Sequence, residues 1–441
     1  ALSTAITLSG TSAIHLQITD AAGNAGTADT TSYILDTTAP TISFSSVDIS
    51  ADTGTSATDF NTKTAAQTLT AELTAAMAAD DILEVSVNAG SNWAVVTGDV
   101  TGDPDVDLDT DITLSGTSAI HLRITDDAGN VGTADTTSYV LDTTAPTVTV
   151  GSTDISADTG TADDDFNTKT AAQTITCTLT GALDGTDVLY ITVDAGSNWA
   201  VATSSVSGTA VSVASQTLSG SSSINFKVAD ATGNELASSA QSYTLDTTAP
   251  TQTYSSVDIS ADTGTSDSDF NTKTAAQTLT ATLSAAIASD DILQVSVDDG
   301  SSWTNDDHNT AAGTSLSTAM TLEAGGGKFH IRITDDAGNS GTASETSYTL
   351  DTTAPTQTYS NVDISTDSGT AADDFNTNTA AQTLTATLSA AIASDDILQV
   401  SVDDGSSWTN DDHNTAAGTG LSTAITLVAG GGEFHIRITD D

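Results

Sequence analysis

The chain has 441 residues, with 59 Asp and Glu against 8 Lys and Arg and a formal net charge of -51. That balance excludes nucleic acid and anionic membrane as partners, because both require a basic footprint. It also opposes compaction unless cations offset the self-repulsion. A disulfide framework is excluded too, since the single cysteine, Cys177, stands where other repeats carry Ala71, Ala281 or Ala386.

In chain order, the phrase Asp-Thr-Thr-Ala-Pro-Thr begins at Asp36, Asp142, Asp246 and Asp351, a period of 104 to 106 residues. One tryptophan recurs per period (Trp93, Trp199, Trp303, Trp408). A period near 100 residues is too long for a solenoid unit and has the size of an autonomous domain. The expected organisation is a partial domain at 1–38 holding only the last strands, complete domains at 39–143, 144–247 and 248–352, and a partial domain at 353–441 lacking its last strand. The chain reads as a window cut from a longer polymer of one domain type.

Within 39–143, short alternating segments separated by Gly, Asp and Asn predict strands at 41–47, 67–73, 82–87, 111–114, 119–125 and 134–141. In the fifth, Ile120, Leu122 and Ile124 alternate with His121, Arg123 and Thr125, giving one buried and one wet face. The fold class is therefore all-β: a tandem array of Ig-like Greek-key β-sandwiches. This patterning argues against an acidic disordered chain. Each tryptophan is expected to plug the core or rim of its sandwich, with a sugar-stacking platform as the alternative.

The combination of Asp-Thr-Thr-Ala-Pro-Thr, Val-Ser-Val-Asp-Asp-Gly-Ser-Ser-Trp (295–303) and Ile-Thr-Asp-Asp-Ala-Gly-Asn (333–339) resembles bacterial Ig-like repeats. These form the extender regions of giant secreted adhesins and biofilm-associated proteins. The resemblance covers essentially the whole chain. It implies an extracellular or cell-surface rod, rigidified by calcium, that holds a binding tip away from the cell.

The acidic residues fall into two groups. At one end of each sandwich, the linker, the turn after the second strand and the turn before the last strand converge. These are Asp36 with Asp80, Asp81, Asp126, Asp127 and Asn130; Asp142 with Asp184, Asp187, Asp230 and Asn234; Asp246 with Asp290, Asp291, Asp335, Asp336 and Asn339; and Asp351 with Asp395, Asp396, Asp440 and Asp441. Converging carboxylates repel by several kcal/mol at low effective dielectric unless a cation sits between them. Hard oxygen donors on flexible loops suit Ca²⁺, and zinc patterns are missing. Solvated turn residues are the competing explanation.

The second group lies in a long loop after the first strand, at the opposite end: Asp48, Asp52 and Asp59, copied as Asp154, Asp158 and Asp165, Asp258, Asp262 and Asp269, and Asp363, Asp367 and Asp374. The spacing is not that of an EF-hand. Either a second Ca²⁺ folds this loop, or Asx turns lock it with Phe60 or Phe166 inserted in the core. Two features are unique to some repeats: the acidic alternation 103–111, read as a charged edge strand, and His308 with Asp306 and Asp307, read as free loop variation.

No nucleophile–base pair, phosphate loop or cofactor fingerprint is present, and repetition serves reach better than catalysis. The sequence predicts a non-enzymatic extender whose partners are calcium ions and neighbouring repeats, without membrane insertion. Two alternatives are a fibre-forming matrix, sheath or surface-layer protein whose repeats pack between chains, and a lectin-like or ice-binding module.

Overall fold

A computed structural model describes residues 1–101, 107–264, 266–306, 313–393, 396–411 and 418–440. Among these, helix is confined to two three-residue 3-10 turns, Thr97–Asp99 and Thr203–Ser205. The chain divides into two compact units, residues 1–157 with 171–244, and residues 158–170 with 245–441.

The first unit begins with an antiparallel pair, β1 (Thr11–Leu16) and β2 (Asp29–Ile34). The first complete repeat is built from β3 (Phe44–Ile49), β4 (Asn61–Thr62), β5 (Ala66–Leu73), β6 (Ile82–Ser86), β7 (Ala94–Val95), β8 (Val100–Thr101), β9 (Asp107–Thr113), β10 (Thr117–Thr125) and β11 (Asp135–Leu141). They form two sheets, in the orders β3-β5-β9-β8 and β4-β11-β10-β6-β7. The non-consecutive neighbours are the Greek-key crossovers.

Alternation builds the core between these sheets. Along β5 and β9 every second residue is buried, and Leu69, Leu83, Leu108, Ile120, Leu122 and Ile124 pack with at most 2% exposure. Tyr139 joins them and donates its hydroxyl to the Val87 carbonyl at 2.7 Å, so the one polar atom of this large ring is satisfied. The same unit holds two further sheets of the second repeat. One is Asp154–Ile155, Ala172–Thr178, Ala210–Thr217 and Val206–Ser207; the other is built on Gln241–Leu245, Ser221–Ala229, Val188–Thr192 and Ala200–Val201.

In the second unit, the third repeat pairs Tyr254–Ile259, Ala276–Leu283 and Ser315–Thr321 in one sheet, facing Asn271–Thr272, Ser344–Leu350, Gly325–Thr334, Ile292–Ser296 and Thr304–Asn305 in the other. The fourth repeat contributes two three-stranded sheets. The units do not coincide with the repeats. Residues 158–170 group with 245–441 because this loop packs on the turn 335–339, where Thr159 and Lys169 bond the carbonyls of Ala337 and Gly338.

One expectation needs correction. The first strand spans Phe44–Ile49 rather than 41–47, and within it the register shifts between Ser45 and Asp48, where Ser46 takes φ 53°. This is a β-bulge, which periodicity alone does not reveal. Of the two places expected for the tryptophans, they take the rim and not the core. All four are half-buried on the outer side of a sheet, beneath a cation: Arg123 lies 3.8 Å over Trp93, Lys227 4.6 Å over Trp199, Arg332 3.8 Å over Trp303 and Arg437 3.9 Å over Trp408. Cation–π attraction holds these pairs, and a face covered in this way is not open to stack a sugar. Residues 103–106, Asp307, His308, Asp395 and Asp441 lie outside the described residues.

Candidate functional site: the repeat junctions

Each linker aspartate makes the same local turn. Asp36, Asp142, Asp246 and Asp351 each accept the backbone N–H two residues on, all at 2.8 Å. The turn before the last strand closes on itself in a second fixed pattern. Asp126 accepts the Asn130 amide N–H at 2.7 Å and its side-chain N–H at 2.9 Å; Asp230 with Asn234 and Asp335 with Asn339 repeat this. The same asparagine then staples the linker: Asn130 donates to the Asp36 carbonyl, Asn234 to Asp142 and Asn339 to Asp246, at 2.9–3.2 Å. The bonds from Asn130 hold the Asp126 carboxyl below its usual range. At Asp230 burial works the other way, but the bonds from Asn234 and Thr232 outweigh it. These aspartates are satisfied within their own turn.

Their neighbours on the earlier turn also accept a backbone N–H, Asp187 from Asp184 and Asp291 from Ala288, both at 3.3 Å. Burial pushes the Asp187 carboxyl up, and the charges of Asp184 and Asp230 add to it. Asp291 is raised by burial, then by Asp335, Asp290 and Asp336. Asp142, Asp184, Asp187 and Asp230 line one open cavity of about 570 Å³ beside the linker. At the first complete repeat Asp81 is half-buried, whereas Asp80 and Asp127 are exposed. At the fourth, Asp396 is buried and Asp440 half-buried.

The long loop has its own lock. Asp52 accepts the Phe60 N–H through Oδ2 at 2.9 Å, and Asp158, Asp262 and Asp367 do the same for Phe166, Phe270 and Phe375 at 2.9–3.0 Å. Each phenylalanine is held at φ 55–62°, a conformation disfavoured for a bulky side chain. Asp59, Asp165, Asp269 and Asp374 close Asx turns on Asn61, Asn167, Asn271 and Asn376. The other oxygen, Oδ1, of Asp52, Asp158 and Asp262 is buried without a hydrogen-bond partner. Burial raises the Asp158 and Asp262 carboxyls, and Asp165 and Asp269 add to the effect. Asp48, Asp154, Asp258 and Asp363 stay exposed, each accepting the N–H of its own following residue.

The two acidic groups, at opposite ends of one repeat, meet where repeats join. In the first unit, the Thr53 hydroxyl donates to the Thr232 carbonyl at 2.7 Å and Lys63 Nζ to the Gly233 carbonyl at 2.6 Å. In the second, Thr159 donates to Ala337 at 2.7 Å and Lys169 to Gly338 at 2.5 Å. Backbones approach so closely that a Cβ on Gly233 would lie 2.1 Å from the Thr53 carbonyl oxygen, and one on Gly338 2.1 Å from that of Thr159. Sequence reasoning missed this clasp. Its signal was the lysine at 63, 169 and 273, three of only eight cations in the chain.

Among solved structures the chain is similar to tandem β-domains. A tetra-tandem repeat in the extending region of a large adhesion protein shares 17% identity over 89% of this chain and 98% of that one, with a TM-score of 0.25. Fibronectin(III)-like modules of Clostridium thermocellum CbhA share 12% over 45% and 94%, at 0.28. The FN1–FN3 domains of chicken CNTN1 share 12% over 70% and 98%, at 0.25. No family model and no curated protein matches.

Among the described residues, the group of three acidic or imidazole side chains whose ligating atoms lie within 4.8 Å of one another is Asp404, Glu433 and His435 in the fourth repeat; the junction carboxylates are not grouped so closely.

Proposed function

We propose that the chain is a non-enzymatic structural spacer, an extender segment of a large extracellular adhesion protein, in which calcium at the junctions stiffens a rod of β-sandwich repeats. The observation that carries this reading is the clasp between the long loop of one repeat and the late turn of the next, beside the raised carboxyls of Asp187 and Asp291. Asp187 with Asp184 and Asp230, Asp291 with Asp290 and Asp335, and the pairs Asp52–Asp59, Asp158–Asp165 and Asp262–Asp269 would hold the ions. Calcium would supply the positive charge that a chain of net charge -51 lacks. The short linker favours stiffness as well, because Pro40, Pro146, Pro250 and Pro355 restrict both their own φ and the residue before them. Calcium titration of the chelated chain, monitored by calorimetry, tests the reading: it predicts saturable binding that Asp187→Asn and Asp291→Asn weaken.

A further inference from the structure

The clasp has a part that differs between the two described junctions. In the second unit the Asp336 carboxylate enters the preceding repeat's long loop. It accepts from the Thr161 hydroxyl at 3.0 Å and from the Asn167 side-chain amide. Asp336 is half-buried there, and the next residue, Ala337, is 4% exposed. Asp127 and Ala128 occupy the same turn positions in the first complete repeat and are exposed. At the junction within the first unit the corresponding residue is Ala231, whose carbonyl oxygen lies 2.7 Å from where a Cβ on Gly54 would stand. Thr55 and Asn61 are the counterparts of Thr161 and Asn167. Among the described residues, neither of their side chains meets a partner on the turn 230–234.

We propose that the long loop is a socket for the late turn of the following repeat, and that the residue after the turn's first aspartate sets how firmly the socket grips. An acceptor side chain, as at Asp336, is taken by the threonine and asparagine waiting in the loop. An alanine, as at Ala231, leaves them idle and the junction held by the Thr53 and Lys63 bonds alone. The socket thus recognises a short acidic turn of sequence Asp-Asp-Ala-Gly-Asn in preference to Asp-Ala-Thr-Gly-Asn. Its two glycines are required: Gly338 takes φ 88° against the Thr159 carbonyl, and a Cβ on Gly160 would stand 2.9 Å from the Asp336 carbonyl oxygen. Repeats of one fold are in this way joined by junctions of graded strength, written in one residue per turn.

The inference rests on the reading of the junction as the functional element, but its test is run in chelator, so calcium does not enter the result. Hydrogen exchange of the full chain is measured by mass spectrometry for Asp336→Ala and Ala231→Asp. Asp336→Ala should speed exchange across 158–170 roughly tenfold or more, the consequence of losing bonds to a charged acceptor, while 52–63 is unchanged. Ala231→Asp should slow exchange across 52–63. Unchanged exchange in 158–170 for the first variant, or unchanged or faster exchange in 52–63 for the second, overturns the proposal. Should Asp336→Ala loosen the whole unit, the Ala231→Asp result decides alone.

Discussion

Asp52 Oδ2 accepts the N–H of Phe60 at 2.9 Å, and this bond holds Phe60 at φ 58° with its ring in the core. The bond offsets a backbone conformation that a bulky residue otherwise avoids. Asp52→Ala should therefore destabilise the first complete repeat by about 1–3 kcal/mol, the range for breaking a buried hydrogen bond. Asp48→Ala should stay within about 0.5 kcal/mol, because that side chain is exposed. Segment-resolved hydrogen exchange across 61–73 measures both.

Gly233 and Gly129 separate two costs that a glycine can hide. Both take positive φ, 86° and 89°, but only Gly233 faces another backbone within 4 Å. Gly129→Ala should cost only the left-handed conformation, about 1–2 kcal/mol. Gly233→Ala should in addition push the turn off the Thr53 carbonyl. Exchange across 52–63 should rise for Gly233→Ala and remain unchanged for Gly129→Ala.

The raised carboxyls give a signed pH dependence in chelator. Asp187 and Asp291 have folded pKa values above the unfolded value. Their contribution to stability is complete below the unfolded pKa and is lost as pH rises through the folded one. Asp126 and Asp230 are lowered, so theirs is present above the unfolded pKa and lost as pH falls through the folded one. Asp187→Asn should accordingly raise the cation-free stability of its junction at pH 7 and flatten its loss between about pH 4 and 7. Thermal melting of variant and parent at both pH values measures this. A variant no more stable at pH 7 would contradict the assignment.

The sandwich core was legible because β5, β6, β10 and β11 obey a period of two, and their predicted bounds agree with the structure within two residues. β4, β7 and β8 escaped because two residues carry no period. The bulge at Ser46 is invisible to the period of the first strand, and the cation over each tryptophan was not foreseen because it sits elsewhere in the sequence. At the site, the Asx-turn aspartates were recognisable from Asp-x-x-Gly-Asn and Asp-Thr-Thr. The meeting of Thr53 and Lys63 with Thr232 and Gly233 was not, since the topology of one repeat does not say how the next one docks.

The most direct test of the central claim is small-angle X-ray scattering of the full chain, with calcium and after exhaustive chelation, paired with calorimetric melting. A ligand bound only by the folded state at a hundred times its Kd stabilises by about 2.7 kcal/mol, a large share for sandwiches of this size. If calcium stiffens the junctions, chelation should shorten the maximum dimension and lower the melting temperature, and calcium alone should restore both. Scattering and melting that do not change on chelation would mean that the carboxylates at Asp187, Asp291 and Asp52 hold no structural ion.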